Sequence, residues 1–233
     1  MNRKNLRSLA AGVALLLAVG ALAGCGGEKK ADDSKKMVTV GIAQLVEHGA
    51  LDAANKGFVA GMASKGFKEN ENVKYDRQNA QADQSNLQNI AQRFVSNKVD
   101  LICAIATPTA QTMANATKDI PIVATAVTDY EVAKLAASNN EPKGNVTGTS
   151  DMNPIDQQLE LLLKIAPQTK NIGTVYSSSE VNSQLQVDVL KKLAGDKGIN
   201  VIEATVSTVN DIQQAAHLSL IHISEPTRRT PIS

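Results

Sequence analysis

The chain has 233 residues, enough for one large domain or two modest ones. Its 42% hydrophobic and 20% charged content is that of an ordinary globular protein, and a net charge of +1 excludes the strongly basic surface that nucleic-acid binding uses. There is no tryptophan and aromatic residues make up only 3%, so an aromatic side chain outside a core carries meaning.

The chain opens with a short basic segment, MNRKNLR, followed by the apolar run SLAAGVALLLAVGALAG. That run is short for a membrane span, which needs about 20 apolar residues. A basic head, an apolar middle and a small-residue exit predict a secretory signal over residues 1–24. The exit, LAGC from Leu22 to Cys25, resembles the lipobox of bacterial lipoproteins. The resemblance implies that Cys25 becomes the new N-terminus and carries a thioether-linked lipid, anchoring the protein to the extracytoplasmic face of the membrane. Without Arg3, Lys4 and Arg7 of the leader, 21 basic residues face 23 acidic ones, a slightly acidic balance. Residues 25–37 are small and charged and predict a flexible tether. The second of the two cysteines, Cys103, lies in the apolar run LICAIA and reads as a core residue.

From Val38 short β-branched runs alternate with helical patterns. VTVGIAQL is the first predicted strand. In the following ALDAANKGFVAGMASKGF, Leu51, Ala54, Phe58, Met62 and Ala63 recur at helical spacing, and Gly66 ends the helix. NVKYDRQNA predicts a strand and SNLQNIAQRFVSNKV a helix with Leu87, Ile90, Ala91 and Phe94 inward. DLICAIAT is apolar throughout, as a parallel strand buried on both faces is. PTAQTMANAT begins a helix at Pro108. IPIVATAV predicts a strand, EVAKLAAS a short helix, and NVTGTSDM has strand character. The remaining pattern is the helix IDQQLELLLKIAP, the strand NIGTVYSS, the helix VNSQLQVDVLKKLAGDKG, the strand INVIEATV, and a last helix, VNDIQQAAH, capped by Asn210.

This succession implies an α/β protein of parallel, doubly wound sheets with right-handed crossovers. Two such successions suggest two lobes, the first over residues 38–147 and a partial second over 148–217. In these sheets ligands sit outside the carboxyl ends of the strands. Those ends hold Gln44 to His48 after the first strand, with Glu47 and His48 charged or titratable, and Asn79 and Gln81 after the second. They continue with Thr107-Pro108-Thr109, Thr128-Asp129-Tyr130 and Tyr176-Ser177-Ser178-Ser179-Glu180, followed by Asn182. Two of the three tyrosines fall there, whereas all three phenylalanines fall in helical patterns.

The combination QLVEH with ALDAANKGF, ATPTAQTMANAT, AVTD, NVTGTSDM and YSSSEVNS resembles the substrate-binding lipoproteins of ABC transporters. More narrowly it is similar to the branch with the type I periplasmic-binding-protein fold, some of whose members bind tryptophan or tyrosine. The likeness runs from the lipobox to His217. It implies a two-lobed receptor that captures a small ligand, hands it to a membrane permease and needs no cofactor; Asp151 joins the site residues through NVTGTSD. A ligand-sensing lipoprotein of the same fold, without transport, is the alternative. Tyr130 departs from the pattern, which has proline after TD.

The resemblance also implies further strands and helices after DIQQAA, leaving the second lobe incomplete here. Instead LSLIHISEPTRRTPIS follows, and Leu218 to Arg228 translates a transposase-type sequencing adapter. Residues 218–233 are therefore expected to be a non-native tail on a truncated chain.

No strand is followed by a phosphate-binding glycine loop, metal-ligand spacing is missing, and of the three histidines only His48 sits well for catalysis, so no enzyme is expected. A binding site needs hydroxyls and amides for an anion, a carboxylate for an ammonium, and an apolar wall. Thr107, Thr128 and Ser178 are candidates for a carboxylate, aided by the helix N-termini at Pro108 and Glu180. Asp129 is the candidate for an ammonium, and Tyr130 and Tyr176 for stacking on a flat ligand. Each has a structural alternative: the hydroxyls suit helix caps, Asp129 a turn, and Tyr176 a core.

Overall fold

Five parallel strands lie side by side in the order β2-β1-β3-β4-β5: β1 is Val38–Gln44, β2 Val73–Asn79, β3 Leu101–Ile105, β4 Ile122–Val127 and β5 Val146–Ser150. The structure, a computed structural model, describes residues 37–142 and 144–217. The signal, Cys25, the tether up to Lys36 and the tail from Leu218 lie outside the described residues.

The apolar run of β3 shows why the sheet is central. Ile102 and Ala104 point to one face and Cys103 and Ile105 to the other, all four fully buried. Helix α1, Gly49–Ser64, covers the second face through Leu51, Ala54, Phe58, Val59 and Met62. Val59 takes the place that the spacing assigned to Ala63, which is exposed. Helices α2, Gln84–Ser96, and α3, Thr107–Ala116, cover the first face with Leu87, Ile90, Ala91, Phe94 and Met113. Gly41 of β1 lies beneath the Phe94 ring, and a Cβ there would stand 2.7 Å from a ring carbon.

Helices end by a shared device. After α1, Gly66 at φ +89° lets the Phe67 N–H reach the Met62 carbonyl and its own N–H reach Ala63. After α2 the same two bonds run from Val99 to Phe94 and from Lys98 to Val95, with Lys98 at φ 50°. In each case a left-handed residue turns the chain and a hydrophobic residue follows it: Val99 is buried in the core, whereas Phe67 stays exposed.

The short helix expected over Glu131–Ser138 is instead a single turn. Asp129 accepts from the Val132 N–H, Lys134 adopts φ 58°, and Leu135 and Lys134 bond back to Tyr130 and Glu131. The closing motif thus arrives before a second turn can form.

The strand expected in NVTGTSDM is β5, which crosses the 147/148 position and pairs with β4 from Val146 to Ser150. Beyond it β6, Asn171–Ser177, and β7, Asn200–Val206, form a second parallel sheet. Helices α4, Ile155–Ile165, and α5, Val181–Gly195, pack on it around Leu159, Ala194 and Ile199. A short helical segment follows β7 from Val209 to His217. Its cap is Thr208 instead of Asn210: the Asp211 carboxylate accepts from the Thr208 N–H and hydroxyl, both at 3.0 Å. All of these elements belong to one compact unit that starts at Met37.

Candidate functional site

The carboxyl ends of strands from both sheets meet around one cavity of about 690 Å³. The first sheet contributes Leu45 after β1, Ala82 and Gln84 after β2, and Pro108 after β3. The second contributes Tyr176 at the end of β6, Ser179 and Glu180 after it, and Ser207 and Thr208 after β7. The backbone explains why the cavity lies there. Parallel strands end together, and each feeds a loop and a helix whose N-terminus faces the ligand side. Helix α3 has no side-chain cap, which leaves the amide end of its first turn beside Pro108 free of side-chain acceptors.

Strain concentrates on the same edge. Gln81, Ala82, Ala106 and Ala126 all carry positive φ, at 56°, 58°, 90° and 55°, at or near the ends of β2, β3 and β4. Non-glycine residues in this region cost on the order of 1–3 kcal/mol each and recur at ligand sites.

Of the residues expected from the sequence, Tyr176, Ser179 and Glu180 line this cavity. Others are placed elsewhere. Glu47 lines a separate polar pocket of about 400 Å³ with Gln44, Asp52 and Arg77. His48 caps α1, its Nδ1 accepting from the Ala50 N–H at 3.3 Å. The Thr107 and Thr109 hydroxyls are shut inside the protein with no partner among the described residues, behind the surface that Pro108 presents. Thr128 is buried, and its carbonyl accepts from the Ser150 hydroxyl at 2.7 Å.

Asp129 is a turn residue. Its two oxygens accept from the Val132 N–H and the Asn139 side-chain amide, each at 2.8 Å. Tyr130 is a core strut and does not line this cavity: it is 6% exposed, its hydroxyl lies 2.9 Å from the Ala124 carbonyl, and it borders a separate small pocket of about 130 Å³ with Asn139 and Gly148. Burial pushes that phenol up to about 12. Asp151 is exposed in the link between β5 and α4, its N–H bonded to the Val127 carbonyl. Ser178 joins β6 to β7 by donating its N–H to the Val206 carbonyl, and Asn182 leans on Glu180 at 3.4 Å. Cys103 is a core residue as read, its thiol pushed up to about 12 by burial.

Sequence reading missed the β7 end. Ser207 and Thr208 follow INVIEATV as Tyr176 to Glu180 follow NIGTVYSS, so the strand-end rule finds them once applied to that strand. Ala82 carries no chemical signal, and only the fold brings it to the cavity, whereas Leu45 lies in the strand-end stretch from Gln44 to His48.

Two parallel sheets with a cavity at their facing carboxyl ends are the architecture of two-lobed ligand-binding proteins. Residues 39–221 match the family model of the ABC transporter substrate binding protein, and the chain belongs to that family. That family is one of solute-binding proteins and not of enzymes, and the fold of this chain is that of the type I periplasmic binding proteins. It is 48% identical over 222 residues to the tyrosine-binding protein of Clostridioides difficile (strain R20291), covering 92% of this chain and 64% of that one. A crystal structure from Streptococcus pneumoniae in complex with L-Trp shares 39% identity at a TM-score of 0.78, over 81% of this chain and 63% of that one. The ligand-free, open structure of a Clostridium difficile substrate binding protein with adhesive properties is 48% identical, with a TM-score of 0.60 over 80% and 63% of the two chains. The chain thus spans just under two thirds of each of these relatives.

Proposed function

We propose that this protein is the extracytoplasmic receptor of an ABC importer, anchored by a lipid on Cys25. In this reading it captures an aromatic amino acid, tyrosine or tryptophan, between its lobes and delivers it to the permease. The observation that carries the reading is the cavity between the two sets of strand ends. It has a tyrosine and apolar side chains on its wall and the uncapped first turn of α3 at its rim. A carboxylate is favoured at such a helix terminus, and a flat side chain gains from an aromatic neighbour. The relatives that bind tyrosine and L-Trp support the same ligand class.

Calorimetry of the purified protein against L-tyrosine, L-tryptophan, L-leucine and glucose tests the ligand. Saturable binding of the aromatic amino acids, tighter than that of L-leucine, is the expected result. Binding of glucose alone would refute the amino-acid assignment.

A further inference from the structure

Tyr176 is bound at its far end by a network that no residue of the cavity wall shares. Its hydroxyl lies 2.7 Å from Glu203 Oε2 and 2.8 Å from Gln184 Oε1. Glu203 Oε1 in turn meets Lys191 Nζ at 2.5 Å, and Gln184 Nε2 donates to Asp188 at 3.0 Å. The register explains the convergence. Tyr176 of β6 pairs with Thr205 of β7, so Glu203, two residues earlier, lies on the same sheet face. Gln184, Asp188 and Lys191 follow one another along one stripe of α5.

Tyr176 lines the cavity, whereas Gln184, Lys191 and Glu203 do not. The hydroxyl's partners therefore lie outside the cavity wall, and the ring is the part of the side chain left to meet a ligand in this reading. An immobilised ring spends less entropy on binding and presents one face to a planar partner. The Glu203 carboxyl is held below the usual range, by its hydrogen bond to Lys191 first and by the Tyr176 hydroxyl second.

We propose that Glu203, held by Lys191, is a positioning residue that fixes Tyr176 as a ring wall of the cavity and thereby selects aromatic over aliphatic amino acids. The proposal rests on the receptor reading above. Neither Glu203 nor Lys191 touches the ligand in it; both act through Tyr176.

The experiment compares the wild type with Glu203→Ala, Tyr176→Phe, the double variant, and Lys191→Met, whose site is half exposed and tolerant of substitution. Calorimetry with L-tyrosine, L-tryptophan and L-leucine is paired with ultraviolet titration of the phenols. The Tyr176 contribution is taken as the difference between variants with and without its hydroxyl. Glu203→Ala and Tyr176→Phe are each expected to weaken aromatic binding about 5-fold while leaving L-leucine unchanged, with no further loss in the double variant. Lys191→Met is expected to lose less in the same direction.

The hydrogen bond to Glu203 opposes ionisation of Tyr176 and raises its pKa, so the phenol should titrate at lower pH in Glu203→Ala. Unchanged aromatic affinity in Glu203→Ala, or an equal loss for L-leucine, overturns the positioning role while the receptor reading stands. A wild type that binds none of the three ligands overturns both. A Tyr176 titration that does not move in Glu203→Ala refutes the network itself, whatever binds.

Discussion

Tyr130 and Gly148 form a lock on the first sheet that no local sequence pattern announces. The Tyr130 ring lies in the core, and its hydroxyl reaches the Ala124 carbonyl at 2.9 Å across the place where a side chain on residue 148 would be. A Cβ on Gly148 would stand 1.8 Å from the Ala124 oxygen and 2.2 Å from the Tyr130 hydroxyl. The first of those atoms is backbone within the sheet and cannot swing aside. Gly148→Ala is therefore expected to destabilise the protein by about 3 kcal/mol or more, at the upper end of overpacking costs. Tyr130→Phe, which only removes the buried hydrogen bond, should cost about 1 kcal/mol. Urea denaturation compares the two, and an unchanged midpoint for Gly148→Ala would refute the lock. Read from the sequence, the same tyrosine was a candidate for stacking on a flat ligand, because a residue's position at a strand end does not say which way its ring turns.

At the scale of elements, helix endings were legible where glycine marks them and illegible where another residue takes the left-handed position. Gly66 was read correctly; Lys98 and Lys134 carry the same turn without a sequence signal. The expected helix at Glu131–Ser138 failed for this reason. Its apolar spacing is helical, but the side chains of Asp129 and Asn139 and the turn at Lys134 bind its backbone first. An exposed lysine at φ 50° costs about 1–2 kcal/mol against glycine, partly offset by glycine's greater freedom in the unfolded chain. Lys98→Gly should accordingly raise stability by about 0.5–1 kcal/mol, and Gly66→Ala should lower it by about 1 kcal/mol. Thermal unfolding of the two variants checks both signs; a lower melting temperature for Lys98→Gly would contradict the account of α2's ending.

Across the whole molecule the two sheets are unequally supported. The five-stranded sheet is covered on both faces, whereas β6 and β7 pair only with each other among the described residues, and their cluster has three buried members. Leu161 and Ile165 of α4 are 58% and 77% exposed, apolar surface that stabilises nothing where it stands. A two-stranded sheet is marginal alone, so amides of β6 and β7 should exchange at least about 10-fold faster than those of β3 and β4. Hydrogen exchange read by mass spectrometry decides this, and equal protection in both sheets would count against it. The sequence by itself determined the α/β succession, the strand ends as the place to look, Cys103 as core, and Tyr176 with Ser179 and Glu180 as wall residues. Those conclusions rest on local periodicity and on which end of a parallel strand faces a ligand, both of which are written along the chain. Only the tertiary structure decided that Asp129 and Tyr130 serve the core and its turns, that Glu47 faces another pocket, and that Leu45 and Ala82 share a cavity with Thr208. Contacts between residues far apart in sequence depend on how two sheets are packed and turned toward each other, and no stretch of the chain encodes that orientation locally.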